Sequence, residues 1–381
     1  MSILPVHWKL RTLVIVLTFL LVSIFTLSTL LVYSTREEVI WIQTTRIGTQ
    51  EQVVARAGAK RIESFFKQVE TDLHIMSQVK AVGDYERSQT RSLLEVAVDR
   101  YAGTPLVSFV RVNKEGEVVL SINRERTAMI ENVDASDRSY FIWAKEQTDT
   151  EGVFLSEPII ARAGPLQGQK ILVIAVPSYR DGVFDGVMFA SIAFDQLVDE
   201  YVKSLAVYGG VQAILLDRDG NILSGLFAQD DVGHNARDII ASDYPDKQKL
   251  YERYLHEILS GITSWVEVDL QFTQEEKSGK WIVGFAPMSF GSSMWSVVVL
   301  VSHDEALGRF ERYQQYSQLG LVFAGLGVVS IGLLSIVSMR KAQLIWYKRG
   351  FERAKKLQKD AIQAIGIDGN TDKMSGKSKG R

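Results

Sequence analysis

The sequence predicts an α+β membrane protein in which a long helix and two antiparallel-sheet lobes lie between two transmembrane helices. Three observations lead to this prediction. Two long uncharged apolar stretches lie near the ends of the chain. A helical repeat of apolar residues follows the first stretch, and one strand–turn–strand pattern then occurs twice.

The overall composition narrows the classes of function. The chain has 43 Lys and Arg against 45 Asp and Glu, so it carries no basic excess of the kind that predicts a nucleic-acid partner. It contains no cysteine, which excludes disulfides, thiolate metal sites and cysteine nucleophiles. The composition therefore gives no indication of nucleic-acid binding and excludes chemistry that depends on cysteine.

The first uncharged stretch lies between Arg11 and Arg36, and it exceeds the roughly 20 residues that a helix needs to cross a bilayer. We place transmembrane helix 1 at residues 12–35. The alternative is a cleaved signal peptide, but the apolar region exceeds the usual ~7–15 residues and no A-x-A-like site follows. The second uncharged stretch, between Arg312 and Arg340, predicts transmembrane helix 2 at residues 313–339.

Basic residues predict the orientation of these two helices. Lys9 and Arg11 precede the first helix, and eight Lys and Arg side chains follow the second within residues 340–359. The positive-inside rule then places both termini, residues 1–11 and 340–381, in the cytoplasm. Residues 36–312 are predicted to be extracytoplasmic, on the periplasmic or extracellular side of a bacterial inner membrane.

Small residues in the second transmembrane helix indicate helix pairing. Gly320, Ala324 and Gly327 share one helical face, where small side chains let two backbones approach closely. The alternative is that Gly is simply common in membrane helices. We expect a homodimer.

The extracytoplasmic region begins with a helix that we place at residues 36–82. Its apolar residues recur at spacings of three and four, which is typical of an amphipathic helix. The apolar face consists of Ile62, Phe65, Phe66, Val69, Leu73 and Met76. We interpret this segment as a stalk that leaves the membrane and packs on the lobes.

Two hairpins of the same design follow the stalk. Residues 107–112 and 117–121 read as strands that flank a turn ending in Gly116, and residues 211–216 and 221–224 flank a turn ending in Gly220. The repeat indicates a duplicated unit. It predicts a first, membrane-distal lobe at residues 83–205 and a second, membrane-proximal lobe at residues 206–312.

The sequence Asp134-Ala-Ser-Asp-Arg138-Ser-Tyr140-Phe141-Ile-Trp-Ala144 resembles the D-x-S-x-R-x-Y-F-x-x-A signature of double Cache domains. Further matches are Leu155-Ser-Glu-Pro158, Ala175-Val-Pro177 and Val301-Ser-His-Asp304. These PAS-like sensor domains occur in chemoreceptors, sensor histidine kinases and diguanylate cyclases. The resemblance covers residues 37–312, and it implies two PAS-like lobes behind a stalk helix.

The resemblance also implies a ligand site in the distal lobe. In that family the signature Arg binds the carboxylate of a small ligand, which assigns this role to Arg138. Tyr140 and Phe141 are expected to form aromatic walls. The other candidate site residues are Asp134, Ser156, Tyr179 and Ser191. The alternative is that Arg138 only pairs with Asp134 or Asp137 in a surface ion pair.

Departures from the family pattern bear on the ligand class. Cache domains that recognise amino acids tend to carry Trp and Tyr after the Arg, Tyr after the Glu-Pro, and an Asp on the closing strand. This chain has Tyr140, Phe141, Ile159 and Ser191 at those positions. We therefore expect a simple carboxylate or another small organic metabolite rather than an α-amino acid. A domain that binds nothing is an open alternative.

Residues 340–381 are predicted to form a basic helix and then a disordered tail. No His follows His303 and the segment is too short for a cyclase or an ATP-binding lobe, so we expect signalling to a separate cytoplasmic protein. The five His lack metal-ligand spacing, and no G-x-S-x-G, P-loop or G-x-G-x-x-G is present. We therefore expect no enzyme activity, no cofactor and no metal. The alternatives are a sensor kinase or diguanylate cyclase without its output domain, and a non-signalling scaffold or accessory protein.

Overall fold

The computed structural model describes residues 6–34, 36–79, 87–125, 133–206, 210–225, 232–271 and 278–364. The chain divides into two compact units. One unit is Glu38–Arg309, and the other consists of Met1–Glu37 with Phe310–Arg381. The predicted disordered tail, from residue 365 onward, lies outside the described residues.

The described chain contains helices near both ends and strands between them. The α-helices are α1 (Val6–Ser34), α2 (Arg36–Gln78), α3 (Arg87–Arg100), α4 (Ser139–Glu146), α5 (Phe194–Leu197), α6 (Ala236–Asp243), α7 (Gln248–Leu259) and α8 (His303–Ala364). The strands are β1 (Leu106–Asn113), β2 (Val118–Asn123), β3 (Phe154–Leu155), β4 (Ile159–Ile160), β5 (Lys170–Arg180), β6 (Val183–Ala193), β7 (Val211–Asp217), β8 (Ile222–Ser224), β9 (Ser264–Gln271), β10 (Ser278–Phe290) and β11 (Ser293–Ser302).

Helix α2 confirms the predicted long N-terminal helix. Its apolar face is buried as the spacing predicted, with Ile62, Phe66, Val69 and Leu73 all at 0% exposure. The helix ends at Gln78, and residues 80–82 of the predicted stalk lie outside the described residues.

Two antiparallel sheets confirm the predicted duplication. The first has the strand order β2-β1-β6-β5-β3, with β4 also pairing with β5, and the second has the order β8-β7-β11-β10-β9. Each sheet begins with the hairpin that the sequence repeats. Gly116 and Gly220 end the two turns with φ of 99° and 90°, a backbone conformation that favours glycine.

The apolar core lies on both faces of each sheet. One face of both sheets packs on α2 in a single cluster, which includes Leu172 of β5 and Val297 of β11. The opposite face of the first sheet packs on α4 and includes Val173, the neighbour of Leu172. The opposite face of the second sheet packs on α7. The first sheet is therefore covered by α2 on one side and by α4 on the other.

The two lobes touch through the β10–β11 hairpin. The hydroxyl of Ser293 donates to the carbonyl oxygen of Leu155 on β3 at 3.4 Å. Close to the turn, the rings of Phe290 and Trp295 lie 5.4 Å and 5.9 Å from the ring of Phe66 on α2. The hairpin of the second lobe thus rests on both the stalk helix and an edge of the first sheet.

One helical stretch in the described part of the chain is long and apolar enough to cross a membrane. It is Val322–Ala361 of α8. The apolar segment of α1, Ile15–Leu31, is shorter than this criterion requires. The two-span arrangement therefore stays a prediction.

The small-residue face predicted for helix pairing is not where α8 meets α1. A Cβ atom built on Gly325 would lie 2.6 Å from the Phe25 ring, whereas one built on Gly320 or Gly327 would have no atom within 4 Å. Phe25 of α1 therefore packs against the backbone of α8 at Gly325, which lies off the predicted face.

Candidate ligand-binding site

The signature segment is held over the first sheet by backbone bonds before α4 begins. Asp134 forms a bridge with Glu117, and the backbone N–H of Ala135 donates to the carbonyl of Gly116 at 2.8 Å. The Asp134 carboxylate accepts the backbone N–H of Ser136 at 2.8 Å, which forms a local turn. Arg138 then takes the N-cap position of α4 with extended backbone angles, φ −76° and ψ 140°.

A cavity of about 80 Å³ lies between this segment and the sheet. Its floor includes Ser108 on β1, Ser191 on β6 and Val173 on β5. Ser191 pairs with Ser108 on one side and with Val173 on the other. Arg138 and Tyr140 line it from α4, and the segment around Arg162 closes another side. The structure therefore brings four of the predicted site residues to one cavity, namely Asp134, Arg138, Tyr140 and Ser191.

Arg138 is half-buried at the cavity and makes one hydrogen bond to a described residue. Its Nη2 donates to the carbonyl oxygen of Ile160 at 3.2 Å. Within the described residues, neither Asp134 nor Asp137 forms an ion pair with it. The simple surface pairing that the sequence left open for Arg138 is therefore not what the structure shows.

Asp137 instead pairs with Arg162, which was not among the predicted site residues. The Arg162 guanidinium donates two hydrogen bonds to the two carboxylate oxygens of Asp137, at 2.6 Å and 2.5 Å. These bonds lower the pKa of Asp137 and raise the pKa of Arg162. Arg162 lies in a segment without a recognisable motif, so only its position at the cavity in the structure identifies it as a site residue.

Tyr140 lines the cavity with its aromatic ring. Its ring lies 4.8 Å from the Phe189 ring of β6, with an interplanar angle of 47°. Burial raises the pKa of its phenol to about 12. The hydroxyl therefore keeps its proton at neutral pH and can donate a hydrogen bond into the cavity.

Asp134 adds an acidic group at the rim of the cavity. Its pKa is lowered, mainly because its carboxylate accepts the N–H of Ser136, so it is ionised at neutral pH. Ser191 replaces the Asp that amino-acid-binding family members carry on the closing strand, so the sequence offered no acidic group at that position for a ligand ammonium. The structure weakens that argument against an α-amino acid, since an ionised carboxylate does line the cavity.

Three predicted site residues do not line the cavity. Phe141 follows Tyr140 on the helix and so points elsewhere, with its ring 6.0 Å from the Phe184 ring. The Ser156 hydroxyl accepts the backbone N–H of Val173 at 2.9 Å, which continues the pairing of the sheet. The Tyr179 hydroxyl donates to the carbonyl of Gln147 at 2.6 Å. All three support the lobe rather than face the cavity.

The second lobe repeats the turn but not the arginine. Asn235 forms a bridge with Asn221, and its side-chain oxygen accepts the N–H of Arg237 at 2.9 Å, as Asp134 does with Ser136. The N–H of Ala236 donates to Gly220 at 2.9 Å, as Ala135 does to Gly116. Four residues after each turn residue stand Arg138 in the first lobe and Ile239 in the second.

Comparison with known proteins agrees with the fold and with the signature. Residues 41–310 match the family model described as Cache domain, of the double Cache type. This match covers well over half of the chain. The protein therefore belongs to the Cache domain family, and its folded region is a double Cache sensor domain. No curated protein matches the chain.

Solved structures with a similar fold are sensor domains. The periplasmic sensory domain of the Campylobacter jejuni chemoreceptor Tlp1 has a TM-score of 0.54 and 14% identity, over 70% of this chain and 98% of that one. The extracellular domain of the candidate histidine kinase rpHK1S-Z16 has a TM-score of 0.51 and 18% identity, over 69% and 97%.

A third similar structure is an extracellular ligand-binding receptor from Desulfohalobium retbaense. It has a TM-score of 0.48 and 15% identity, and the match covers 66% of this chain and 40% of that one. At identities this low, the likeness to the two structures with TM-scores above 0.5 concerns the fold alone.

Proposed function

We propose that this protein is a membrane-anchored sensor whose first lobe binds a small organic carboxylate and signals to a separate cytoplasmic protein. One observation carries the proposal. Arg138 lines the cavity, and the carboxylate nearest in sequence, Asp137, is already bound by Arg162. Among the described residues Arg138 has one hydrogen-bond partner, the carbonyl of Ile160. Such a cation beside a cavity is suited to an anionic ligand, since a planar guanidinium can donate two parallel bonds to a carboxylate.

The walls of the cavity complement such a ligand. Tyr140 offers a protonated hydroxyl, and Ser108 and Ser191 offer hydroxyls from the sheet. Val173 and Phe189 provide apolar surface. The pattern of a few polar groups among apolar ones is typical of small-molecule sites.

The size of the cavity favours a ligand with few heavy atoms. Its volume of about 80 Å³ is well below the ~300–1,000 Å³ of pockets for drug-sized ligands. A short carboxylic acid fits this size best. Because Asp134 lies at the rim, an acid with an ammonium group is the second candidate, and binding measurements decide between the two.

The topology belongs to the same proposal. We place residues 12–35 and 313–339 in a bacterial inner membrane, both termini in the cytoplasm, and the double Cache domain at residues 36–312 outside it. The apolar stretch of α8 and the basic residues that follow it support this placement. The two similar structures with TM-scores above 0.5 are described as periplasmic and extracellular domains.

A route for the signal runs from the first lobe to α8. Val173 lines the cavity, and its backbone N–H donates a hydrogen bond to the hydroxyl of Ser156. The preceding residue, Leu155, accepts a hydrogen bond at its carbonyl oxygen from the hydroxyl of Ser293 on the second lobe. Strand β11 begins at Ser293 and leads into α8 at His303. A ligand shifts this path in a homodimer only if it binds two states of the protein with different affinity.

A thermal-shift screen of a soluble fragment, residues 38–309, tests the ligand-binding part of the proposal. The panel contains organic acids, amino acids and amines, with Arg138→Ala in parallel and Arg237→Ala as the matched control from the second lobe. A ligand at 100 times its Kd stabilises the folded state by about 2.7 kcal/mol. We expect a small carboxylate to stabilise the wild type and Arg237→Ala but not Arg138→Ala.

Other outcomes are equally informative. A hit that does not depend on Arg138 would keep the sensor and overturn the site. No hit from a folded fragment across the whole panel would favour the scaffold or accessory protein.

A further inference from the structure

Helix α8 continues far beyond its uncharged segment, and its later part is strongly basic. The uncharged segment ends at Met339, and the helix is described through Ala364. Between them lie eight cationic side chains and two acidic ones, Glu352 and Asp360. The cations are Arg340, Lys341, Lys348, Arg349, Arg353, Lys355, Lys356 and Lys359.

Apolar side chains form a stripe along one face of this basic segment. At 100° per residue, six residues fall within about 140° of the helix circumference. They are Leu344, Tyr347, Phe351, Ala354, Leu357 and Ala361. The four large ones are well exposed, from 65% at Leu344 to 81% at Tyr347. We call this face the apolar stripe.

The cations lie mostly on the other side of the helix. With Arg340 at 0°, the apolar stripe spans about 260° to 40°, and Lys341, Lys348, Lys356 and Lys359 project between about 80° and 160°. Arg340 itself lies within the arc of the stripe, and the apolar Ile345 lies on the cationic side at about 140°. Glu352 also lies there, at about 120°. A helix with aromatic and leucine residues on one face and Lys and Arg on the other is typical of segments that lie in a membrane surface.

A second copy of the chain fits the apolar stripe less well than a bilayer does. A coiled coil would use the narrower series Leu344, Tyr347, Phe351 and Ala354. Leu357 would remain outside that seam, and two strongly positive helices would face each other. An anionic bilayer surface covers the whole stripe and attracts the positive charge.

We propose that residues 341–361 of α8 bind the surface of an anionic membrane leaflet, with the apolar stripe inserted between the lipid headgroups. The inference rests on the membrane anchor of the proposed function. The stripe begins five residues after Met339, about 7.5 Å along the helix, so it starts at the edge of the anchor. Since α8 is continuous, lying on the surface requires a bend close to residue 340.

The absence of cysteine from the chain makes a direct test possible, because one introduced cysteine carries one spin label. The full chain is placed in nanodiscs of phosphatidylcholine, with or without phosphatidylglycerol. Ala354→Cys reports on the apolar stripe, and Glu352→Cys reports on the opposite face at nearly the same height. Ser330→Cys reports on the uncharged segment.

We expect the label at 354 to lose its collisions with a water-soluble nickel complex only in discs that contain phosphatidylglycerol. The label at 352 should remain in contact with the complex in both lipids. Replacing Lys348, Lys355, Lys356 and Lys359 together by Gln should remove the dependence on phosphatidylglycerol. The label at 330 should be shielded from the complex in every disc.

Three results would overturn the inference. Equal accessibility of the labels at 354 and 352 to the nickel complex in both lipids would mean that the apolar stripe lies in water. Spin–spin broadening at 354 that is independent of lipid charge would assign the stripe to a second copy. A label at 330 that contacts the complex would remove the anchor itself, and with it the topology in the proposed function.

Discussion

The guanidinium of Arg162 is bound to the carboxylate of Asp137 by two hydrogen bonds at 2.6 Å and 2.5 Å. This ion pair determines which of the two arginines at the candidate site compensates the charge of Asp137. Asp137 immediately precedes Arg138, and its charge is matched by Arg162 rather than by Arg138. Among the described residues, no carboxylate forms an ion pair with Arg138.

Breaking the Arg162–Asp137 pair should strengthen the binding of an anion. In Asp137→Asn the charge of Arg162, which also lines the cavity, is no longer compensated. We expect the Kd for a small carboxylate to fall, with little change in Tm because both side chains are exposed. Calorimetric titration and a melting curve measure the two quantities. A weaker affinity in the variant would contradict this account.

Ligand affinity should be nearly independent of pH between about 6 and 9, because neither Asp134 nor Tyr140, the two titratable side chains discussed at the site, has its pKa in that range. The hydrogen bond from Ser136 lowers the pKa of Asp134, and burial raises that of Tyr140 to about 12. Titrations at several pH values check this directly. A change in Kd centred near neutrality would point to a group outside the described site.

The same raised pKa of Tyr140 predicts a loss of stability in alkali. The folded-state pKa of Tyr140, about 12, lies above the usual tyrosine value of 10.0, so its contribution to stability is complete below about pH 10 and is lost as pH rises through 12. Tyr140→Phe should therefore resist alkaline unfolding better, relative to its own stability at pH 8, than the wild type. Absorbance at alkaline pH follows the ionisation. The prediction fails if both proteins lose the same fraction of stability.

Arg111 should be the most costly arginine to remove. It is fully buried on β1, and it donates to the carbonyls of Val112 and Val187 and to both the carbonyl and the carboxylate of Asp185. Breaking such a buried pair costs about 3–5 kcal/mol. We expect that loss for Arg111→Ala in urea unfolding of residues 38–309.

The matched control for Arg111 is Arg91→Ala on α3. Arg91 pairs with Glu95 one helical turn away, and its side chain is 48% exposed. Such pairs contribute only about 0.3–0.5 kcal/mol. Similar losses in the two variants would mean that the Arg111 network is not structurally important.

The substitution Gly291→Ala should test the contact between the two lobes. The φ of Gly291 is +57°, and an added Cβ would lie 2.9 Å from the carbonyl oxygen of Val153 in the first lobe. Gly103 also has a positive φ, +81°, but an added Cβ there would meet nothing within 4 Å. Both Ala variants incur the backbone cost of about 1–2 kcal/mol. We expect Gly291→Ala to lose more stability than Gly103→Ala in urea unfolding, and equal losses would argue against the interlobe contact.

Much of the fold could be predicted from local sequence. The apolar spacing in α2 and the two Gly-ended hairpins each reflect a short-range rule, and the structure bears them out. The close contact of Gly325 with Phe25 could not be predicted, because it depends on which face of α8 meets α1. A helix pattern shows where small residues lie but not which of them faces a neighbour.

Three of the four predicted residues that line the cavity come from the signature, and the fourth, Ser191, comes from the family pattern of the closing strand. Asp134, Arg138 and Tyr140 lie in one continuous segment, so their shared location follows from the motif. Phe141, Ser156 and Tyr179 have partners inside the lobe, which depend on packing and on strand pairing. Arg162 reaches the cavity from a distant segment, and no local pattern marks it.

The central claim, that Arg138 binds the ligand carboxylate, is tested most directly by calorimetry. The tightest small carboxylate from the screen is titrated into residues 38–309 as wild type, Arg138→Gln and Arg237→Gln. Hydrogen bonds to charged groups contribute about 1.5–3 kcal/mol, so Arg138→Gln should weaken binding by roughly 10- to 150-fold. Arg237→Gln should bind like the wild type. Equal affinity in all three proteins would contradict the claim.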